Sequence, residues 1–218
     1  MNPSRRLLVT AGPTRQPLDA VRFLSNRSSG AMGVAIAKAG AEAGWETTLL
    51  LGPIDRPAPR PRENLSVDRF ETFDDLADLL DRHFPDCDTL IMAAAVGDYR
   101  LLPDQPMPAK LPRDPAGLTL RLSPTPDLVA AAAGRKRADQ FVIAFSLESP
   151  DTLAERAAGK LQKKTVDAII ANPLDTLGSD SIDPVLLTAD GSRYRTGPLT
   201  KVLFARRLIA WLDGKGEL

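Results

Sequence analysis

Three groups of residues in this chain have the types and spacing to handle an anionic substrate. The first is a dense polar run holding Thr14, Arg15, Asp19, Arg22, Asn26, Arg27, Ser28 and Ser29 ahead of Gly30. A helix that begins near Gly30 leaves its first backbone N–H groups unpaired and points the positive end of its dipole outward. Gly12, Ser28, Ser29 and Gly30 therefore suit a phosphate or a carboxylate. The same pattern also suits a plain helix N-cap at Ser28 or Ser29 with the arginines in solvent. The second group is Ala93-Ala94-Ala95-Val96-Gly97-Asp98-Tyr99. Its small residues let a ligand approach the backbone, and Asp98 stands where a strand ends, although an Asp there can also cap a turn. The third is Lys160 and Lys164, four residues apart on one helix face. Both ammonium groups can reach one anion, or can lie solvated as most lysines do. Lys110 stands apart in a proline-rich stretch, as a surface lysine or a catalytic one. His83 reads as a helix end and Cys87 as a small buried residue, without the spacing of a metal site or a nucleophilic dyad.

The elements that must position these groups alternate between strand and helix. Arg6 to Thr10 reads as a buried strand, followed by turn-prone residues and the polar segment to Ser29. A helix from about Gly30 places Met32, Ile36, Ala39 and Ala43 at helical spacing, Gly44 ends it, and Thr47 to Leu51 forms the next strand. Asp74 to His83 is helical, Asp88 to Val96 and Gln140 to Phe145 are strands, Asp151 to Lys164 is helical, Ala168 to Ala171 is strand-like, and Thr200 to Asp213 is an amphipathic helix. Strands apolar on both faces alternating with helices predict an α/β fold, a mostly parallel sheet covered by helices. Two stretches break the pattern. Gly52 to Pro61 reads as a surface connection. Leu101 to Pro115, with five prolines, follows a strand end and reads as an active-site flap.

Length and charge narrow the function. A chain of 218 residues fits one domain spanning 1–218. The 28 Lys and Arg balance the 28 Asp and Glu, so no basic excess points to nucleic acid or a membrane surface. One cysteine forms no internal disulfide, no signal-peptide pattern opens the chain and no apolar run is long enough to span a bilayer, which together predict a soluble cytoplasmic protein. The dinucleotide fingerprint, with its glycines directly after the first strand and an acid ending the second, is absent: Gly12 is separated from Gly30 and Gly33, and the second strand ends in Leu50-Leu51-Gly52.

Val9-Thr10-Ala11-Gly12-Pro13-Thr14-Arg15, Asp19 through Gly30 and Met32-Gly33 resemble the opening of the phosphopantothenate–cysteine ligase family. The resemblance continues in order through Ala93 to Arg100, Pro124 to Val129, Lys160 to Lys164 and Asp167 to Asn172. It implies a modified Rossmann-like sheet, a homodimer, and CTP with magnesium or manganese. The implied CTP site holds Met92, Ala93, Ala94, Asp98, Lys110, Pro126, Asp127, Leu128, Val129, Phe145, Lys160 and Lys164. Arg22 and Asn26 face the acyl intermediate. In many bacteria this domain is fused behind a flavin-dependent decarboxylase, so this chain reads as a stand-alone form with a separate decarboxylase as a partner. Three departures stand out. A flap motif commonly Lys-Ile-Lys-Lys reads Lys110-Leu111-Pro112-Arg113, Gly-Phe-Ala-Ala-Glu reads Ala144-Phe145-Ser146-Leu147-Glu148, and Gly97 replaces an alanine before Asp98.

The chemistry so implied is activation of a carboxylate. The 4'-phosphopantothenate carboxylate attacks the α-phosphorus of CTP, pyrophosphate leaves, and the amine of cysteine then displaces CMP from the acyl-cytidylate. Lys110 is assigned to the first step, Asn26 to holding the intermediate and Arg22 to the cysteine half-reaction. The alternative is an NAD(P)-dependent oxidoreductase on a Rossmann-type sheet.

Overall fold

The computed structural model describes residues 5–102, 109–216 and 218. In chain order its strands and α-helices are β1 (Arg6–Ala11), β2 (Arg15–Pro17), β3 (Phe23–Ser25), α1 (Ala31–Glu42), β4 (Glu46–Leu51), β5 (Leu65–Arg69), α2 (Phe73–His83), β6 (Thr89–Met92), β7 (Tyr99–Leu101), β8 (Leu122–Pro124), α3 (Leu128–Gly134), β9 (Phe141–Glu148), α4 (Leu153–Lys164), β10 (Ala168–Pro173), β11 (Ser181–Ile182), β12 (Val185–Thr188), β13 (Arg193–Arg195), β14 (Leu199–Thr200) and α5 (Lys201–Leu212).

Eight strands form the main sheet in the order β13-β12-β10-β9-β6-β1-β4-β5. Neighbours from β10 through β5 pair parallel, while β12 and β13 add an antiparallel edge. Alternation along each strand feeds two apolar layers. Val9, Ile91, Ile143 and Ile170 meet α1 and α5 on one face. Leu8, Leu90, Val142 and Ile169 meet α2, α3 and α4 on the other. The expected α/β architecture is observed, with helices on both faces.

Local signals account for several boundaries. Thr72 and Asp75 close a reciprocal capping box at the start of α2, and Thr200 accepts from Leu203 N at the start of α5. Gly44, at φ 87°, ends α1. Gly33 lets α1 lie directly on β1: a Cβ there would come 2.5 Å from Ala11 Cβ and 2.7 Å from the Thr10 carbonyl oxygen.

Four sequence readings are corrected. The polar segment 14–29 contains the β2–β3 hairpin, whose Phe23 and Leu24 are exposed, so apolar periodicity was no guide to it. The strand read as 88–96 ends at Met92, because the following residues leave the ladder to line a crevice. The stretch 52–61 is more than a surface connection, since Ile54 packs against Gly12 and Gly30. In the flap at 101–115, Leu101 belongs to β7, which pairs with β8, and residues 103–108 lie outside the described residues.

Candidate active site

The chain passes from β1 outward to β4 and β5, then returns to β6 on the other side of β1. That reversal opens a crevice above the C-terminal ends of β1 and β6, the place where open α/β sheets take their ligands. Its floor is stitched by backbone and threonine contacts. Ala95 N donates to Gly12 O at 2.9 Å and Thr14 N to Ala95 O at 3.2 Å. Ala94 N donates to Thr10 Oγ1 at 3.0 Å and Gly97 N to Thr14 Oγ1 at 2.8 Å. Both threonines are buried. On the far side Thr125 donates through Oγ1 to Gly97 O at 2.7 Å and through N to Asp98 O at 2.9 Å. Asn26 leans over this floor and donates Nδ2 to Ala95 O at 3.1 Å and Val96 O at 3.2 Å. Its Nδ2 is therefore committed to shaping the loop after β6, while Oδ1 remains the acceptor for a ligand.

The N-terminus of α1 opens on the same crevice. Its cap is Gly30 in the left-handed region (φ 69°), with no side chain bonded to the helix end. The serine N-cap expected at Ser28 or Ser29 is thus corrected, although Ser28 Oγ accepts weakly from Gly30 N at 3.4 Å. A Cβ on Gly30 would meet Ile54 Cγ2 at 2.8 Å and Gly12 N at 3.2 Å. Only glycine combines this positive φ with so close an approach. The result is a helix end with donors unclaimed by a capping side chain, next to half-buried Ser28 and Ser29.

Asp19 joins this region to the stem of the flap. Its Oδ1 accepts from Val21 N at 2.8 Å and Arg22 N at 2.7 Å, and its Oδ2 accepts from Leu111 N at 3.0 Å. The Leu111 N–H first, with those of Val21 and Arg22 and the Arg22 charge, holds the carboxyl below its usual range although burial opposes this. Arg22 lies 3.7 Å from Asp19 through Nε and donates from Nη2 to Leu111 O at 3.1 Å. Ala20 N donates to Ala109 O at 3.3 Å. Lys110, itself exposed, is therefore flanked by two residues clamped to the turn 19–22.

The lysines of α4 are engaged by separate carboxylates. Lys160 Nζ lies 2.5 Å from Oε1 of buried Glu148 and 3.0 Å from Ser146 Oγ, and Ser146 also donates to Glu148. Burial pushes the Glu148 carboxyl up, but Lys160 and Ser146 outweigh it and the net shift is downward. Lys164 is ion-paired with Asp127, which also caps α3 by accepting from Ala130 N at 3.1 Å. Asp127 too is shifted downward, desolvation being outweighed by Lys164 and the helix N–H groups.

The expected site residues thus fall into distinct places. Gly12, Ala93, Ala94 and Asp98 border the crevice, with Asn26 above it. Ser28, Ser29 and Gly30 surround the end of α1. Pro126, Asp127 and Leu128 lead into α3, while Met92 and Val129 bury their side chains in the core and can offer only backbone. Phe145 packs toward α1 and α5, whereas Lys160 and Lys164 belong to the opposite helical layer. The two groups can share a ligand only over the C-terminal edge of the sheet. Cys87 is buried and its thiol is pushed up to about 12 by desolvation, which removes it as a nucleophile. A separate cavity of about 450 Å³ between α4 and β12 contains the Lys136–Asp167 ion pair and is lined by none of the expected site residues.

Sequence reasoning passed over four polar residues that the structure brings to this region. Asp19 was visible only as part of a polar run. Ser146 and Glu148 appeared as a departure from a motif, with no sign that they hold Lys160. Asn172, two residues beyond Ile170 on the Phe145 face, is buried, and its Oδ1 has no partner among the described residues. A polar residue ending a continuous apolar strand was the available signal for it. Among the described residues no three His, Cys, Asp or Glu side chains converge. These side chains do not fit a resident metal cage, and a divalent cation would enter as the counter-ion of a nucleotide phosphate.

Fold and crevice together define a Rossmann-like α/β class of protein, with an uncapped helix N-terminus where the dinucleotide fingerprint would otherwise stand. Within that class the chain belongs to the DNA/pantothenate metabolism flavoprotein C-terminal domain family, whose model matches residues 3–214. It is 34% identical over 220 residues to the coenzyme A biosynthesis bifunctional protein CoaBC of Mycobacterium tuberculosis (strain H37Rv), covering 94% of this chain and 51% of that protein. It is 36% identical over 176 residues to CoaBC of Vibrio cholerae, covering 80% of this chain and 43% of that protein. The chain therefore spans about half the length of the curated relatives it matches. The crystal structure of a CoaBC C-terminal domain superposes with TM-score 0.80 at 30% identity, covering 96% of this chain and 94% of that one. A DNA/pantothenate metabolism flavoprotein from Streptococcus pneumoniae shares the fold, with TM-score 0.84 at 24% identity over 97% and 99% of the two chains. The family gives the oxidoreductase alternative no support.

Proposed function

We propose that this chain is a CTP-dependent phosphopantothenate–cysteine ligase of coenzyme A biosynthesis, acting as a single ligase domain over 1–218. What supports this reading is the placement of Asn26 over the crevice floor beside the uncapped α1 terminus, with the stem of Lys110 tied to the 19–22 turn of the same polar segment, in a chain 30% identical to a CoaBC C-terminal domain over nearly its whole length. In the first step the 4'-phosphopantothenate carboxylate attacks the α-phosphorus of CTP and pyrophosphate departs. Lys110 neutralises the charge that develops there. In the second step the amine of cysteine attacks the acyl-cytidylate carbonyl, forming the amide and releasing CMP and a proton.

Lys160 and Lys164 meet the triphosphate by exchanging Glu148 and Asp127 for phosphate oxygens. Gly12, Ser28, Ser29 and Gly30 hold an anionic group of substrate through the helix end. Met92 and Ala93 to Ala94 offer backbone, Asp98 and the 126–129 turn border the nucleotide, and Phe145 faces the base with Asn172, whose Oδ1 has no partner among the described residues. Asn26 Oδ1 and Arg22 serve the acyl intermediate and the cysteine half-reaction. Magnesium or manganese accompanies the nucleotide, and no step is assigned to it. A homodimer, for which exposed Val21, Phe23 and Leu24 supply apolar surface, a cytoplasmic location and a flavin-dependent decarboxylase as partner complete the proposal. Incubation with CTP, 4'-phosphopantothenate and cysteine should yield pyrophosphate, CMP and phosphopantothenoylcysteine in equal amounts. Release of pyrophosphate that does not depend on phosphopantothenate, or none at all, would overturn it.

A further inference from the structure

We infer that Asp19 is the positioning residue for Lys110, acting through the backbone on either side of that lysine. This rests on the ligase reading of Lys110. One buried carboxylate organises both halves of the junction. Oδ1 closes the turn 19–22 by accepting Val21 N and Arg22 N, and Oδ2 accepts Leu111 N across 92 residues of chain. The turn so formed returns two further bonds to the flap stem, from Ala20 N to Ala109 O at 3.3 Å and from Arg22 Nη2 to Leu111 O at 3.1 Å. The residues before and after Lys110 are thereby fixed, while the lysine side chain is exposed and has no ion-pair partner among the described residues.

A flexible four-carbon side chain on an unrestrained loop would have to be ordered anew at each turnover. Anchoring its backbone removes that entropy from the activation barrier. The charge of Asp19 matters as well as its shape. A carboxylate offers only acceptors, and it receives three backbone N–H groups here. An asparagine of the same size turns one of those acceptors into a donor facing another N–H.

The test is a double-mutant cycle on CTP- and phosphopantothenate-dependent pyrophosphate release. Asp19→Asn should lower kcat by about tenfold to a hundredfold, the worth of a charge-assisted hydrogen bond, with KM for CTP changed less than about twofold. In a Lys110→Ala background the same substitution should change kcat by less than about twofold, because what it positions is already gone. Equal losses in both backgrounds would overturn the inference, as would a loss confined to KM. An amide-to-ester exchange that places lactic acid at position 20 tests the clamp with every side chain kept. The change removes the N–H given to Ala109 O and, unlike a proline, leaves the backbone of Asp19 unrestricted. It should slow pyrophosphate release in the wild-type background and not in Lys110→Ala, which keeps the cycle decisive should Asp19→Asn fail to fold. A wild-type chain without ligase activity would instead overturn the ligase reading. The backbone anchoring would then be read by hydrogen exchange, with Leu111 N–H exchanging faster in Asp19→Asn; unchanged exchange would overturn it.

Discussion

Lys160 Nζ lies 2.5 Å from Oε1 of Glu148, a carboxylate that is only 4% exposed. A lysine read from sequence as either solvated or phosphate-binding is thus also the counter-ion of a buried acid. Removing it strands that charge. Lys160→Met should cost about 1–2 kcal/mol of stability, moderated because the lysine is itself partly exposed, and should weaken CTP binding as well. Adding Glu148→Gln should restore the melting temperature without restoring CTP affinity by calorimetry. Recovery of both would assign Lys160 to structure alone.

The same pair sets an acid limit. The Glu148 carboxyl is held below its ordinary value of 4.5, burial being outweighed by Lys160 and Ser146. A depressed carboxyl contributes fully above its unfolded value and loses that contribution as pH falls through its folded value. Urea midpoints measured from roughly pH 5 down to pH 3 should therefore fall more steeply for the wild type than for Glu148→Gln. Parallel curves would show that Glu148 does not drive the acid loss.

Lys110→Ala should leave the circular-dichroism spectrum and melting temperature unchanged, since the side chain is exposed. Pyrophosphate release should drop by about 10²–10³-fold, the usual worth of one group stabilising transition-state charge. Unchanged release would exclude the role.

Asn26→Asp keeps the size but sets a carboxylate against the Ala95 and Val96 carbonyl oxygens that now receive Nδ2. Pyrophosphate release should persist in part and exceed phosphopantothenoylcysteine formation, with acyl-cytidylate detectable by mass spectrometry. If both products fall in parallel with no intermediate, Asn26 only shapes the loop after β6.

Gly33→Ala tests how closely α1 must approach β1. The added methyl group would meet Ala11 Cβ at 2.5 Å and Thr10 O at 2.7 Å, both on a rigid central strand. A stability loss of about 1–3 kcal/mol is expected by denaturant titration, as for other overpacked sites. A wild-type midpoint would mean that the helix slides away freely.

What the sequence by itself determined were features specified within a few residues. The apolar runs of β1, β4, β6, β9 and β10, the spacing of α1 and the stop at Gly44 all follow from local periodicity and backbone freedom, and they suffice for a parallel α/β sheet. The segments from Val9 to Gly33, together with the later ones from Ala93 to Asn172 in the same order, suggested the ligase family. Short α3 and strands β11 to β14 escaped because two to seven residues show no reliable period. Tertiary structure alone decided which groups meet. Asp19 finds Leu111 across 92 positions, Lys164 finds Asp127 across 37, and Ile54 fills the space over Gly12 and Gly30. Sheet alternation, which no spacing between distant motifs can encode, put Phe145 and Asn172 on one face and Lys160 on the other. Such pairings depend on the strand order β9-β6-β1-β4, and that order is set by burying two apolar layers at once rather than by any single segment.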